Sequence, residues 1–371
     1  MSRSTISAAK RIVIKIGSSS LTGKAGAQLD TAAVDQLVEV VAVCRKRGSE
    51  VVVVSSGAIA AGLAPLGLTS RPTDLATQQA AASVGQGLLI AEYTRSFAKH
   101  AITASQILIT TEDVVRRSHY QNAQRTLYRL LQLGVVPVIN ENDTVGTQEI
   151  RFGDNDRLAA LVALLINADL LILISDIDAL YDAPPKQAGA KAIHEVRNVS
   201  EIQSISLGGA GGSGVGSGGM VTKVEAARIA TSTGIPMLLT SLSQVQEAIN
   251  GVEYGTYFHA SAKKTTSRLL WLAHATTTQG RLVLDAGAVQ AILERGVSLL
   301  PAGVTAVNGD FSAGDAVELV GPDSKVIARG LVAFDSSEIP LMLGRSTKEL
   351  AQSLGPEYER ELVHRDDLVL I

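Results

Sequence analysis

The stretch RIVIKIGSSS at residues 11–20 sets a single lysine, Lys15, into an otherwise apolar strand and follows it with a glycine and three serines. Burying an ammonium group in such a strand costs folding free energy unless it meets an anion. The small residues behind it let backbone N–H groups approach an oxyanion. In open α/β sheets, ligands bind outside the C-terminal ends of the strands, which is where this lysine falls. A lysine snorkelling from a strand end is the alternative reading of the same residues.

Outward from this strand, short apolar runs alternate with longer amphipathic stretches, the pattern of βαβ units and a parallel sheet. Strands are expected at 11–16, 51–55, 102–109, 135–139, 170–174 and 235–240. Helical periodicity covers 31–47, between a capping Asp30 and Gly48, then a long Ala-rich stretch to about 98, then 116–133, 157–168 and 221–233. Hydrophobic residues make up 46% of the 371 and aromatics only 4%, so the core must be Val, Ile, Leu and Ala, which suits parallel strands covered by helices. From 281 to 334 the runs become short, alternating and punctuated by Gly, Asp and Pro, which points to a separate β module. The fold class expected is α/β, an open and mainly parallel sheet sandwiched by helices, plus a small β-rich C-terminal domain. The expected division is 1–262, a Ser/Thr-rich linker at 263–280, and 281–371 with a charged helical stretch and a last apolar run.

Composition excludes several function classes. With 33 Lys and Arg against 36 Asp and Glu, nothing in the overall charge draws the chain to nucleic acid or to an anionic membrane. The one cysteine, Cys44, lies in an apolar periodic stretch and reads as core, so no intrachain disulfide forms and a reducing compartment fits. No signal-peptide pattern and no run of about 20 apolar residues occurs, so the expectation is a soluble, cytoplasmic protein without a membrane partner. Six scattered histidines and one cysteine give no zinc spacing. Gly57 and Gly62 have P-loop spacing, but Leu63 and Ala64 stand where Lys and Ser or Thr are required. Gly214, Gly216 and Gly219 match a dinucleotide fingerprint but sit late in the chain, away from its first strand.

Four more segments carry chemistry. Ser55-Ser56-Gly57-Ala58 closes the second strand and turns into a helix, so its hydroxyls and backbone donors suit a carboxylate or a simple cap. Asn140-Glu141-Asn142-Asp143 stands directly behind another apolar strand, and Phe152-Gly153-Asp154-Asn155-Asp156 follows it. One of Asp154 and Asp156 would suffice to cap the next helix; two suggest a site that orders lysines, magnesium and an ammonium group. In the glycine-rich run 208–219, eight of twelve residues are Gly, the composition of a linker or of a phosphate loop. It leads through Ser217-Gly218-Gly219-Met220-Val221-Thr222-Lys223 into a helix, and both the helix N-terminus and Lys223 favour phosphate. Phosphoryl transfer needs charge placed around the migrating group rather than covalent help, and Lys15 and Lys223 together supply it.

These motifs resemble the glutamate 5-kinase family of the amino acid kinase superfamily. The likeness runs through IVIKIGSSSLT at 12–22, VVVSSGAIAAG at 52–62, PVINENDTV at 137–145, FGDNDRLAALVA at 152–163, ISDIDALYDAPP at 174–185 and GVGSGGMVTKVEAA at 214–227. The tail at 281–320 is similar to a PUA domain, a fold met in RNA-modifying enzymes; it lacks a dense basic cluster with interleaved aromatics, so nucleic-acid binding is not expected.

The resemblance implies ATP as co-substrate and L-glutamate as acceptor, with L-glutamyl 5-phosphate as product in the first step of proline biosynthesis. It implies that Lys15, Ser217, Gly218, Gly219, Met220, Val221, Thr222 and Lys223 contact ATP, with Ser175 and Asp176 also at the nucleotide. Ser55, Asp143 and Asn155 would hold glutamate. Asp156, with Asp154 nearby, would organise the two lysines and Mg2+, whose ligands the sequence does not assign. Proline as a feedback inhibitor and a homo-oligomer, dimer or tetramer, are further family expectations. Serine at 175 and 217, where the family commonly has threonine, keeps the hydroxyl. The rival readings are another amino acid kinase, acting on N-acetylglutamate or a nucleoside monophosphate, and an RNA-binding protein built on the tail.

Overall fold

The computed structural model describes residues 3–22, 28–110, 113–114, 117–145, 155–183, 185, 187, 189–198, 217–260 and 278–371. Contacts divide the chain into two compact units, one of Met1–Val114 and Ser118–Lys264, the other of Thr265–Ile371 together with Val115–Arg117. Most of the expected linker falls in 261–277, outside the described residues.

In the first unit the apolar runs become β1 (Arg11–Ile16), β2 (Glu50–Ser55), β3 (Ala104–Ile109), β4 (Val136–Glu141), β5 (Leu170–Ser175), β6 (Leu180–Tyr181), β7 (Ala192–Ile193), β8 (Glu195–Val196), β9 (Met237–Ser241) and β10 (Thr256–Phe258). Eight of them form one sheet in the order β3-β4-β2-β1-β5-β9-β10-β8, and β6 pairs with β7 apart from it. From β3 to β9 all neighbours are parallel. Only β10 runs antiparallel to β9. β1 therefore lies inside the sheet, with Lys15 paired against Val54 on one side and Leu173 on the other.

The helices are α1 (Ser18–Leu21), α2 (Thr31–Lys46), α3 (Ala58–Leu63), α4 (Leu75–Ala98), α5 (Arg117–Gln132), α6 (Asn155–Leu165), α7 (Ser217–Ser232) and α8 (Val245–Ala248). Asp30 caps α2 by accepting from the Ala32 and Ala33 amides, and Gly48 at φ +81 ends that turn, as its sequence suggests. Cys44 of α2 is buried in the core formed with Ile14, Val53 and Ile172 of the sheet. Each such aliphatic side chain stabilises the fold by about 1.5–3 kcal/mol on burial.

The Ala-rich stretch is not one helix. Pro65 lies in a 3-10 turn, Ala64–Leu66, and Gly67 at φ +67 leaves it, so the chain breaks before Asp74 caps α4. The two pieces pack back to back at Gly62 and Gly85. A Cβ on Gly85 would stand 1.8 Å from the Ala58 carbonyl oxygen, and one on Gly62 would stand 1.9 Å from that of Ala81. Only glycine permits this approach.

The second unit holds β11 (Gly280–Leu284), α9 (Ala286–Arg295), β12 (Val304–Gly309), β13 (Ala316–Val320), β14 (Val326–Val332), α10 (Thr347–Leu354) and β15 (Val363–Leu370). Its sheet has the order β12-β11-β13-β14-β15 around Leu282, Leu319, Val332 and Leu350. Sequence patterning misses α9, although Asp285 caps it through the Ala288 amide and Gly296 closes it at φ +58. Among the described residues of the chain, no helix is long and apolar enough to cross a membrane.

Candidate active site

β1 carries Lys15 into the interior with 5% of its surface exposed, and the first turn of α6 brings Asp156, at 2%, to meet it. Lys15 Nζ lies 2.5 Å from Asp156 Oδ1. The other oxygen, Oδ2, is 3.1 Å from Lys223 Nζ and accepts from Thr222 Oγ1 at 2.9 Å. α7 begins at Ser217, earlier than its apolar pattern indicates, so Gly218 and Gly219 are inside the helix and Lys223 stands one turn further along. Lys223 Nζ also donates to the Gly219 carbonyl at 3.0 Å. Three chain segments thus converge on one buried carboxylate.

The charges hold one another in place. Burial pushes the Asp156 carboxyl up, but Lys15 and then Lys223 outweigh it and hold it below the usual carboxylate range. Burial lowers Lys15 from its ordinary value, opposed by Asp156 and reinforced by Lys223. Two cations on one anion leave a net positive rim able to take up a polyanion.

Beside this rim opens a cavity of about 330 Å³, a size that suits a small organic acid. Ser18 and Ser19, just behind Lys15, line it, together with Ser56, Arg71, Asn140, Asp143 and Asn155. Asn155, next in sequence to Asp156, ties the cavity to the charged cluster. Its Nδ2 donates to Ser56 Oγ at 2.8 Å, and to Ser55 O and Asn140 Oδ1, each at 3.2 Å. Burial pushes the Asp143 carboxyl up to about 6, against the opposing pull of Arg71. At the end of β5, Ser175 is buried and donates to Asp176 at 3.0 Å, while Asp176 itself is exposed and its charge reaches Lys15.

Residues 10–241 match the amino acid kinase family, and residues 280–354 match the PUA domain. A glutamate 5-kinase from Streptomyces avermitilis is 59% identical over all of this chain and 98% of its own length. One from Salinispora arenicola is 59% identical with both chains fully covered, and one from Bifidobacterium longum 53% with 98% of its own length covered. The chain belongs to the glutamate 5-kinase family.

A carbamate kinase from Giardia lamblia bound to AMP-PNP has the same fold, with a TM-score of 0.50 at 18% identity over 69% of this chain and 100% of that one. As a member of the glutamate 5-kinase family the chain is an enzyme, a kinase that takes ATP as co-substrate.

Of the residues expected to serve a glutamate 5-kinase, the structure gathers Lys15, Asp156, Thr222 and Lys223 at one point and Asp143 and Asn155 in the adjoining cavity. Gly219, Met220 and Val221 lie on the first turns of α7, with Val221 exposed; of Ser217 and Gly218 only the helical backbone is described. Asp154 lies outside the described residues. Ser55 is placed apart from these residues. It is fully buried at the end of β2, and its hydroxyl meets Tyr93 Oη at 2.9 Å, so it does not line the cavity. The next residue, Ser56, the first after the strand, lines the cavity instead. Sequence reasoning also missed Arg71, which no periodic signal marks, and left Asn140 and Glu141 behind β4 when they are its last two residues.

Proposed function

We propose that the chain transfers the γ-phosphoryl group of ATP to the side-chain carboxylate of free L-glutamate, giving ADP and L-glutamyl 5-phosphate. The observation that carries this reading is the meeting of Lys15 and Lys223 on Asp156, beside a cavity that holds both Arg71 and Asp143. A free amino acid brings an α-carboxylate and an α-ammonium; Arg71 answers the first and Asp143 the second. The names of the relatives, glutamate 5-kinases at up to 59% identity, point to the same acceptor.

In this mechanism an oxygen of the glutamate side-chain carboxylate attacks the γ-phosphorus while the bond to the ADP oxygen breaks in line. Lys15 and Lys223 stand for the charge that spreads over the phosphoryl oxygens, and Asp156 keeps them from drifting apart. Ser175 and Asp176 lie beyond the same strand ends, on the nucleotide side. Asn155 and Ser56 hold the acceptor near the rim. The acyl phosphate product hydrolyses easily, so the buried setting of the cluster protects it.

Among the described residues, no group of three His, Cys, Asp or Glu side chains could hold a metal ion, and both lysines occupy Asp156. Magnesium then enters as part of the nucleotide substrate, bound by its phosphates, as is usual for this ion. We further assign the reaction to the first step of proline biosynthesis in the cytoplasm, with proline competing at or near the glutamate cavity and the chain working as a dimer or tetramer.

The test is ATP consumption in the presence of magnesium and either free glutamate or N-acetylglutamate, with hydroxylamine trapping the acyl phosphate as a hydroxamate. Turnover is expected with glutamate alone. Equal turnover with N-acetylglutamate overturns the acceptor assignment, and the same assay on protein lacking residues from 281 onward separates the kinase unit from the second domain.

A further inference from the structure

Asn140, near the end of β4, is 2% exposed, and every polar atom of its side chain is committed. Its Oδ1 accepts from the Glu141 amide at 2.9 Å and from Asn155 Nδ2 at 3.2 Å, which uses both lone pairs. Its Nδ2 donates to Gln86 Oε1 at 2.7 Å, across to α4. An asparagine amide turned end for end keeps its shape but exchanges donor for acceptor. Turned in this way, its NH2 would face the NH2 of Asn155 and the N–H of Glu141, donor against donor.

The Glu141 backbone N–H cannot turn and so selects the orientation shown, and Gln86 Oε1 braces it by accepting from the amide nitrogen. At the far end, Asn155 lines the cavity and points its NH2 at Ser56, Ser55 and Asn140. Its Oδ1 is buried and has no partner among the described residues. A buried acceptor without a donor calls for one, and the α-ammonium of free glutamate, with three N–H bonds to share, supplies it.

Resting on the acceptor reading above, we propose that Gln86 is a positioning residue for the acceptor amino acid: by bracing Asn140 from α4 it holds in place the Asn155 amide that the acceptor meets. The Gln86 hydrogen bond goes to Asn140 and not to Lys15, Asp156 or Lys223, so its effect falls on the acceptor side.

Gln86→Met keeps the length and helix preference of the side chain while removing the oxygen. In the full-length protein, the KM for glutamate is expected to rise by up to about tenfold, the scale of one partly buried hydrogen bond, while the KM for ATP stays within about twofold. Asn140→Ala should raise the glutamate KM as well, and in that background Gln86→Met should add nothing, because the two act in series. An unmoved glutamate KM in Gln86→Met overturns the proposal, as do fully additive effects in the double variant or an equal rise in both KM values. Should Gln86→Met not fold, Gln86→Ala carries the same comparison. Loss of glutamate-dependent turnover in the unaltered protein would instead strike the acceptor reading, and the relay with it.

Discussion

Lys15 and Asp156 meet at 2.5 Å with only 5% and 2% of their surfaces exposed, so each is a buried charge that depends on the other. A pair of this kind can be strongly destabilising to break without being strongly stabilising to have.

Asp156→Asn is therefore expected to do two things. Charge and volume alone, read from sequence, suggest a variant that folds almost normally and fails only in catalysis. Burial changes that expectation: two ammonium groups lose their shared anion, which costs about 3–5 kcal/mol. Turnover should fall by about a hundredfold or more, since the phosphoryl oxygens lose an ordered pair of cations. The folded Asp156 carboxyl titrates below its unfolded value, so its contribution is present above the ordinary carboxylate range and is lost as pH falls through the folded value. Urea midpoints of the two proteins should differ at pH 7 and converge in acid.

Asp143 behaves in the opposite sense. Its carboxyl is raised to about 6, above the unfolded value, so its charge opposes folding at neutral pH and stability recovers as pH falls through 6. Binding of the glutamate ammonium needs the charged form. The kcat/KM for glutamate should decline by up to about tenfold per pH unit below 6, and Asp143→Asn should flatten that limb. The same variant should unfold at higher urea than the unaltered protein at pH 7 while binding glutamate more weakly, an exchange of stability for function.

Ser55 and Ser56 can be separated by paired substitutions. Ser55→Ala loses the contact to Tyr93 and is expected to lower stability by about 1 kcal/mol with the glutamate KM nearly unchanged. Ser56→Ala removes the hydroxyl that accepts from Asn155 at 2.8 Å in the cavity, and should raise that KM by about fivefold or more. The reverse ranking in steady-state kinetics would return the role to Ser55.

Gly85→Ala tests the joint between α3 and α4. Its Cβ would stand 1.8 Å from a backbone oxygen that cannot rotate away, so overpacking should cost about 1–3 kcal/mol or more. Because Ala58 and Ile59 of α3 line the cavity, the glutamate KM should rise along with the drop in melting temperature. Gly87→Ala, two residues along with open space around it, serves as the control.

Much of this was legible before any coordinates. A lysine inside an apolar strand announces an anion, and Lys15 has one in Asp156. The parallel direction of the strands from β3 to β9 follows from βαβ alternation, though their order in the sheet does not. What stayed hidden has physical reasons. Ser55 and Ser56 are chemically identical, and only the point where β2 ends and the chain turns toward α3 decides which one reaches the cavity. Arg71 lies in a loop with no period to read, and Asn140 works through partners on α4 and α6 that no local pattern connects. Helix α9 hid among alternating runs because its cap and its closing glycine also read as turn signals.

The single cysteine gives the chain a built-in reporter. Cys44 sits in α2 against the large sheet, 2% exposed, and burial pushes its thiol up to about 11. A disulfide reagent can therefore reach it only during excursions in which α2 parts from the strands, so the labelling rate clocks the opening of the kinase unit alone, blind to the second domain. Bound substrates that close those excursions would register as slower thiol modification, without any engineered probe.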